Sequence, residues 1–241
     1  GAQETVALLN EYFTDMVDIV FAHQGVLDKY MGAMIMAVFG SVLQHTEDAD
    51  NAVTVGNRMM AGLRLLNDRL AARGPAPIRI GVGISTGQVV AGNIGSPKRL
   101  EYTVIGNRVN IAHRLEEANK FYGTSILFCS QTYARMKEPT PVREIDLIRV
   151  RGMETPVAIY EAIGHHNEDS FPHRDAALDA FTTGLSRYRR REWGDAARSF
   201  RDALAANPKD EPSRIYLERC EIFRNTPPAP DWDGVWTMPH K

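Results

Sequence analysis

Apolar residues recur at spacings of three and four near the start of the chain, which is the pattern of an amphipathic helix, and we predict that helix over Glu4–Ala22. Gly25 ends it. Two apolar runs, Gly25–Tyr30 and Ala33–Phe39, then flank Met31 and Gly32, as the strands of a β-hairpin do. A second helical pattern begins at Thr46 and continues to about Ala72, where glycine and proline follow.

The central part of the chain alternates between strand and helix patterns. Ile78–Ile84 and Gln88–Ile94 predict a second hairpin, closed by Ser85-Thr86-Gly87, because glycine can adopt the positive φ of a tight turn. The remaining predicted elements are strand Tyr102–Ile105, helix Arg108–Lys120, strand Ser125–Cys129, helix Gln131–Met136, and strands Glu144–Val150 and Val157–Ile163. This mixture of helices and strands predicts an α+β domain over residues 1–163.

The pattern changes after residue 163. A polar stretch over residues 164–174 is typical of a linker, and residues 175–241 have helical periodicity. This helical extension resembles a single tetratricopeptide unit at Gly184, Tyr188, Trp193, Ala196, Phe200, Ala203, Leu204 and Pro208. One such unit cannot bury its own apolar face. We therefore expect a third helix, Pro212–Phe223, to cover it, and the proline-rich tail with Trp232 and Trp236 to pack back on the protein.

Charge and cysteine content exclude several classes of protein. Twenty-eight basic and 30 acidic side chains leave a net charge of −2, so no global field attracts nucleic acid or an anionic membrane. Four arginines near one helix end are balanced by neighbouring acids, which favours a solvated face over an anion site: Arg187, Arg189, Arg190 and Arg191. Cys129 and Cys220 are too few for a disulfide framework.

The same features indicate a cytoplasmic location. Two cysteines fit a reducing compartment, and we find no signal peptide or membrane-spanning run among the 241 residues. The chain is expected to be cytoplasmic, or to be the cytosolic part of a longer protein attached to a membrane or to a sensor domain.

Three motifs occur in a specific order and at specific distances. Lys29-Tyr30-Met31-Gly32 ends a predicted strand, Ile80–Gly87 is rich in glycine, and Tyr102–Arg114 runs from a strand into a helix. Together they resemble the class III adenylyl and guanylyl cyclase catalytic domain over Glu4 to about Glu161. The resemblance implies a ferredoxin-like core, a nucleoside triphosphate substrate, and a head-to-tail dimer whose sites are shared between two subunits.

The resemblance also implies which base is selected. Lys29 stands where ATP-selective members carry lysine and most GTP-selective members carry glutamate, and Thr103 stands at the second base-reading position. An ammonium donates to adenine N1, whereas guanine N1 carries a hydrogen and repels that donor. The threonine hydroxyl accepts from the exocyclic amine of adenine. This pair resembles the bacterial ATP-selective subclass and predicts ATP as substrate.

Two further positions match the catalytic residues of the family. Asn110 corresponds to its ribose-orienting asparagine and Arg114 to its transition-state arginine. Their separation of four residues places both on one helix face. The alternative for Arg114 is an exposed helix arginine paired with Glu116 or Glu117. Arg151 matches a phosphate-binding lysine, and a guanidinium can serve there.

The metal half of the family site is not matched. The family binds two divalent ions, Mg²⁺ or Mn²⁺, with two aspartates, one on its first strand and one directly after the hairpin glycine. Here Ala33 follows Gly32 in place of the second aspartate. The first aspartate belongs to a strand that precedes the Glu4–Ala22 helix in the family, and the 241 residues begin with that helix. Asp28 lies on the wrong side of the turn. We expect no tight metal binding to this chain alone, and we expect the strands beside the absent one to expose unpaired edges.

Three interpretations follow. In the first, the sequence is an altered or shortened form of an adenylyl cyclase that converts ATP to cyclic AMP and pyrophosphate, with this chain inactive alone. In the second, it is the metal-free half of a heterodimeric cyclase. In the third, it is a non-catalytic module for nucleotide binding or dimerisation. The partners implied are ATP and a second cyclase domain, in a homodimer or a heterodimer.

Overall fold

The computed structural model describes residues 1–74, 76–138, 140–149 and 155–235. Helices and strands alternate in the first part of the chain and only helices follow. In chain order the elements are α1 (Ala2–Ala22), β1 (Val26–Met31), β2 (Met34–Val38), α2 (Asp48–Ala71), β3 (Val82–Ile84), β4 (Val90–Ser96), β5 (Arg99–Ile105), α3 (Asn107–Tyr122), β6 (Ile126–Cys129), α4 (Ser130–Tyr133), β7 (Val142–Ile148), β8 (Val157–Ala162), α5 (Arg174–Arg189), α6 (Trp193–Ala206) and α7 (Glu211–Asn225).

The strands form three sheets. A four-stranded sheet has the order β3-β6-β8-β7, and two antiparallel ribbons consist of β1-β2 and β4-β5. Strand β3 pairs in parallel with β6, and the other ladders are antiparallel. Helices α1 and α2 pack together with the inner face of β2. The predicted α+β architecture with a helical extension is confirmed.

The predicted hairpin between Ile78–Ile84 and Gln88–Ile94 is wrong. Strand β3 pairs with β6, more than 40 residues later, and β4 pairs with β5 around the turn at Pro97 and Lys98. Only Val82–Ile84 of the first apolar run joins a ladder. Ahead of it, the backbone of Ile78 exchanges two hydrogen bonds with the Asn67 side chain, at 2.8 and 2.9 Å. The Asn67 side-chain amide therefore satisfies the backbone hydrogen bonds of Ile78 that a neighbouring strand would otherwise make.

Strands β2 and β3 each have one unpaired edge within the residues that the structure describes. Strand β2 has β1 on one side, and β3 has β6 on one side. Ile35 of β2 and Ile80, two residues before β3, pack against the α1–α2 pair. The resemblance to the cyclase family led us to expect unpaired edges beside the family's first strand. That such edges are covered by a dimer partner, exchanged between chains or locally disordered stays a prediction.

The helical extension has its own apolar core. Gly184 of α5 lets the ring of Phe200 on α6 approach closely, since a Cβ at position 184 would lie 2.7 Å from that ring. Helix α7 covers the pair through Tyr216 and Cys220. Trp232 packs against Tyr188, so the proline-rich tail folds back as expected as far as the structure describes it. Trp236 lies outside the described residues, and the likeness to a tetratricopeptide unit stays a prediction.

The four arginines of this extension do not form an anion site. Each has a protein partner, and the partners differ: Arg187 donates to Ser199, Arg189 pairs with Glu144, Arg190 pairs with Glu192, and Arg191 donates to the carbonyls of Pro228 and Ala229. The interpretation as a solvated face holds for Arg190. Arg189 instead links α5 to strand β7.

Buried ion pairs attach the extension to the four-stranded sheet. Arg219 of α7 donates to Asp146 of β7 at 2.6 Å, and each side chain is 2% exposed. The Tyr122 hydroxyl, at the end of α3, donates to the same carboxylate oxygen at 2.6 Å. Burial, followed by the Asp146 charge, raises the pKa of Tyr122 well above its usual value, which keeps this phenol a donor. We call these three residues the Asp146 clamp.

A second buried group lies beside the Asp146 clamp. Arg143 of β7 donates to Glu161 of β8 and to Asp210, both at 2.7 Å. Asp210 is also the N-cap of α7, where it accepts from the backbone of Ser213. The sheet and the extension are therefore joined by charges that have been removed from water.

Residues 164–174, predicted as a linker, contain two adjacent histidines. His165 is 8% exposed and its Nδ1 lies 3.3 Å from Oδ1 of Asn57 on α2. Burial lowers the pKa of His165 to about 3, with further contributions from His166 and Arg64. Burial and the nearby charge of Arg143 lower the pKa of His166 to about 4. The segment therefore packs against the domain with both rings uncharged near neutral pH. The domain boundaries themselves stay a prediction.

Arg219→Met is expected to destabilise the protein by about 3–5 kcal/mol, because it leaves the buried Asp146 without its cation. The measurement is urea unfolding followed by tryptophan fluorescence. Arg201→Met on α6 is the control, since Arg201 is half exposed and its pair with Glu221 spans 3.5 Å; it is expected to cost under about 1 kcal/mol. Equal losses in the two variants would contradict a dominant role for the Asp146 clamp.

Acidification from pH 7 to 5 is expected to lower the free energy of unfolding. An unfolded histidine has a pKa of about 6.5, whereas His165 and His166 titrate at about 3 and about 4 in the folded chain. The unfolded state therefore binds protons that the folded state excludes, which costs on the order of 1–2 kcal/mol for a buried ring.

Urea unfolding at pH 7, 6 and 5 measures this loss. A variant with His165→Gln and His166→Gln should lose less stability over that range than the natural chain. His113→Gln, which removes a half-exposed histidine on α3, should retain the full pH dependence. A double variant with an unaltered dependence would show that other groups cause the acid sensitivity.

Candidate nucleotide site

Helix α3 lies directly on the backbone of β3 because of two glycines. A Cβ at Gly83 would lie 2.0 Å from the carbonyl oxygen of Ala112 and 2.4 Å from the amide nitrogen of Glu116. A Cβ at Gly81 would make a looser contact, 3.2 Å from the carbonyl oxygen of Glu116. Asn119 of α3 closes the contact by donating to the carbonyl of Val82 at 3.0 Å. The glycine-rich motif thus sets the position of α3 relative to the sheet.

The opposite face of α3 carries Asn110 and Arg114. Ile111 and Leu115 are fully buried, whereas Asn110 and Arg114 are exposed, so the two predicted catalytic residues share one open face. Arg114 donates to Glu117 at 2.6 Å, and both side chains are about half exposed. An exposed pair of this kind stabilises by roughly 1 kcal/mol or less, so an arriving phosphate can displace Glu117 at little cost.

Lys29 and Thr103 are close in space although 74 positions separate them. The Thr103 hydroxyl donates to Oδ2 of Asp28 at 2.8 Å, and Nζ of Lys29 lies 3.6 Å from the same oxygen. Lys29 also lies 3.5 Å from Glu101. Strand β1 is therefore packed beside β5 at this point, and the two predicted base-reading side chains share one carboxylate.

The two predicted pairs are joined through the chain. Strand β5 ends at Ile105, α3 begins at Asn107, and only Gly106 separates them. Thr103 thus lies near the end of β5, and Asn110 lies in the first turns of the helix that follows. The two predicted pairs are therefore carried by consecutive elements of the chain.

Arg108, in the first turn of α3, lies across Gly87 and reaches Gln131 of α4 at 3.3 Å. It therefore connects the loop after β3 to α4. Arg151, the predicted phosphate-binding residue, lies outside the described residues, and its role stays a prediction.

The residues at the family's metal position do not fit a two-ion site. Ala33 lies in the turn between β1 and β2 and offers only a methyl group. The nearest carboxylate along β1, Asp28, accepts from Thr103 and faces the Lys29 ammonium. No cluster of three or more histidine, cysteine or acidic side chains able to hold a metal occurs in the described ranges.

The β4–β5 ribbon extends from the domain with apolar side chains in water. Val90 and Ile105 are paired across the ribbon and exposed, and Leu100 and Tyr102 are exposed further along β5. A two-stranded ribbon alone is marginally stable in water, and exposed apolar patches mark interaction surfaces. No helix in the described ranges has the length and apolar character needed to cross a membrane.

Comparison with known proteins assigns the family. Residues 1–162 match the family described as the adenylate and guanylate cyclase catalytic domain. The chain belongs to this family. Adenylate cyclase 1 of Rhizobium meliloti (strain 1021) is 34% identical over 162 residues, which are 67% of this chain and 24% of that protein. The terminal-differentiation specific adenylate cyclase of Dictyostelium discoideum is 30% identical over 220 residues, 90% of this chain and 10% of that protein.

Solved structures of cyclases have the same fold. The adenylyl cyclase CyaB from P. aeruginosa matches with a TM-score of 0.63 and 34% identity, over 68% of this chain and 84% of that one. The guanylyl cyclase Cya2 matches with a TM-score of 0.61 and 34% identity, over 72% of this chain and 85% of that one. Because both nucleotide classes occur among similar cyclases, the base preference of this domain depends on its own site residues.

The structure therefore brings the predicted base-reading residues together and leaves the predicted catalytic residues exposed on α3. Sequence reasoning found Lys29, Thr103, Asn110 and Arg114, and it dismissed Asp28 as a poor metal ligand. The structure places Asp28 in contact with both predicted base-reading side chains. The sequence shows Asp28 next to Lys29, but it does not show the contact with Thr103, because Thr103 lies 75 residues further along the chain.

Proposed function

We propose that this chain is the catalytic domain of an ATP-selective cyclase, and that it supplies the residues for the base, the ribose and the transition state. The reaction converts ATP to cyclic AMP and pyrophosphate. The ribose 3′-oxygen forms a bond to the α-phosphorus, the bond from that phosphorus to the pyrophosphate oxygen breaks, and the hydroxyl proton passes to solvent. The observation that carries the proposal is the convergence of Lys29 and Thr103 on one point of the domain.

The chemistry of this pair supports adenine. The Lys29 ammonium has only donors, which suit adenine N1 and oppose the N1 hydrogen of guanine. The Thr103 hydroxyl accepts from the amine at position 6 of adenine. A charge-assisted hydrogen bond contributes roughly 1.5–3 kcal/mol, which corresponds to a preference of about tenfold to a hundredfold.

The open face of α3 supports the remaining roles. Asn110 orients the ribose by hydrogen bonding, and Arg114 stabilises the charge that develops on the α-phosphoryl oxygens. Arg114 can leave its exposed partner Glu117 without a large penalty. Arg151 holds a phosphate group of the triphosphate. These roles follow the family pattern at positions that match it.

The chain alone is expected to be inactive because Ala33 replaces a metal ligand of the family. Cyclase domains act as dimers, and the exposed β4–β5 ribbon supports a second domain packing here. That partner would hold Mg²⁺ or Mn²⁺ with its own carboxylates. Whether the partner is a second copy or a different cyclase domain distinguishes a homodimer from a heterodimer.

Ala33 also favours a second candidate function. A cyclase domain that has lost a metal ligand but kept its base-reading pair can bind a nucleotide without converting it. Such a domain would act as a module for nucleotide binding or dimerisation. It would bind ATP analogues, whereas complementation by a metal-binding partner would give no product.

Lys29→Glu combined with Thr103→Cys is expected to reduce the preference for ATP over GTP by about tenfold to a hundredfold. Glutamate accepts from guanine N1 and opposes adenine N1. Calorimetric titration with the α,β-methylene analogues of ATP and GTP, which cannot be cyclised, measures both affinities with Mg²⁺ present. Lys209→Glu reverses an exposed charge on the extension and should leave the ratio unchanged. An unaltered ratio in the double variant would refute the assignment of the base pocket.

Complementation tests the shared site. A cyclase domain that retains both metal aspartates and has alanine at its transition-state arginine is inactive alone. Mixing it with this chain should produce cyclic AMP, because this chain donates Arg114. The same mixture with the Arg114→Ala variant should produce none. If the two proteins co-elute as a complex and still make no cyclic AMP, the non-catalytic candidate is favoured.

A parallel test separates the altered form from the heterodimer half. Ala33→Asp is introduced into the chain together with the family's aspartate-bearing first strand at its start. Cyclic AMP production by that form alone would identify an altered adenylyl cyclase. Activity only in the mixture would identify a metal-free half.

A further inference from the structure

Asp28 is the bulged residue of strand β1. Leu27 pairs with Ala37 and Lys29 pairs with Met36, so Asp28 has no partner of its own in the ladder. Consecutive residues of a regular strand face opposite sides, and a bulge re-aims one of them. Here Asp28 and Lys29 reach the same place, with Oδ2 and Nζ 3.6 Å apart. The bulge therefore brings a carboxylate next to the base-reading lysine.

The Asp28 carboxylate is buried and engages Thr103. Its side chain is 5% exposed, and Oδ2 accepts the Thr103 hydroxyl at 2.8 Å. A threonine hydroxyl has a single hydrogen, and a carboxylate can only accept. While this bond lasts, the Thr103 oxygen offers lone pairs and no hydrogen to any other group. The Thr103 hydroxyl, which could otherwise donate or accept, is therefore available to a ligand only as an acceptor.

We propose that Asp28 is a specificity-determining residue that commits Thr103 to adenine. The inference rests on the proposed function, in which Lys29 and Thr103 face the base. Adenine presents an amine at position 6, which donates to an acceptor, whereas guanine presents an oxygen there, which needs a donor. With its hydrogen held by Asp28, Thr103 matches the first base and leaves the second without a partner. Asp28 acts through Thr103 and is a positioning residue.

Asp28→Leu tests this inference, because leucine has a similar shape and accepts no hydrogen bond. The freed hydroxyl can then donate to guanine, so the ratio of GTP to ATP dissociation constants should fall by about tenfold. Calorimetry with the α,β-methylene analogues on the full chain, with Mg²⁺ present, gives this ratio. Damage to the fold alone would weaken both nucleotides together and leave the ratio unchanged.

Three controls assign the effect to the hydroxyl of Thr103. Asp28→Asn keeps an acceptor oxygen and should retain most of the preference. Glu101→Gln removes the other carboxylate beside Lys29 and should leave the ratio within about twofold. In a Thr103→Val background, Asp28→Leu should cause no further change, because the residue through which it acts is gone.

The Thr103→Val variant tests the inference in a second way, without a change to Asp28. It should weaken the ATP analogue several-fold and leave the GTP analogue unaffected, since the natural hydroxyl gives guanine no hydrogen. Equal weakening of both analogues would overturn the inference, and so would an unchanged ratio in a folded Asp28→Leu variant. A natural chain that binds both analogues equally, or binds neither, would instead overturn the proposed function.

Discussion

The contact between α3 and β3 is the constraint on which the site depends. Because Gly83 has no side chain, the backbone of α3 lies against the backbone of β3, and any Cβ there would overlap Ala112 and Glu116. The buried face of α3 is fixed by this contact, so Asn110 and Arg114 are held on the opposite, open face. The position of Arg114, the predicted transition-state residue, thus depends on the lack of a side chain at Gly83 of the neighbouring strand.

The other end of α3 depends on electrostatics. Tyr122 shares the Asp146 carboxylate with Arg219, so the helix that carries Asn110 and Arg114 is bound to α7 of the extension through one oxygen atom. Buried charges are costly unless each is paired, and this cost makes the arrangement specific. The extension is therefore attached to the sheet of the cyclase domain by defined contacts, and its three helices have their own core in addition.

This chain has residues for the predicted base-reading half of a cyclase site but lacks a carboxylate at the metal position. The proposed base-reading half is built from β1, β5 and a bulge that places Asp28 beside Lys29, and Thr103 donates to Asp28. At the metal position the Ala33 side chain offers no ligand atom. A site shared between two subunits allows this division, since one domain can contribute donors while another contributes carboxylates.

Sequence patterns alone predicted the helices, the approximate strand positions, the family and the four candidate residues Lys29, Thr103, Asn110 and Arg114. These follow from periodicity and from motifs, which are properties of neighbouring residues. Strand pairing was decided only by the tertiary structure, and the hairpin predicted between β3 and β4 was wrong because β3 satisfies its backbone with the remote β6. The contact between Asp28 and Thr103 and the pairing of Arg219 with Asp146 could not be predicted from the sequence, since each is a hydrogen bond across more than 70 residues.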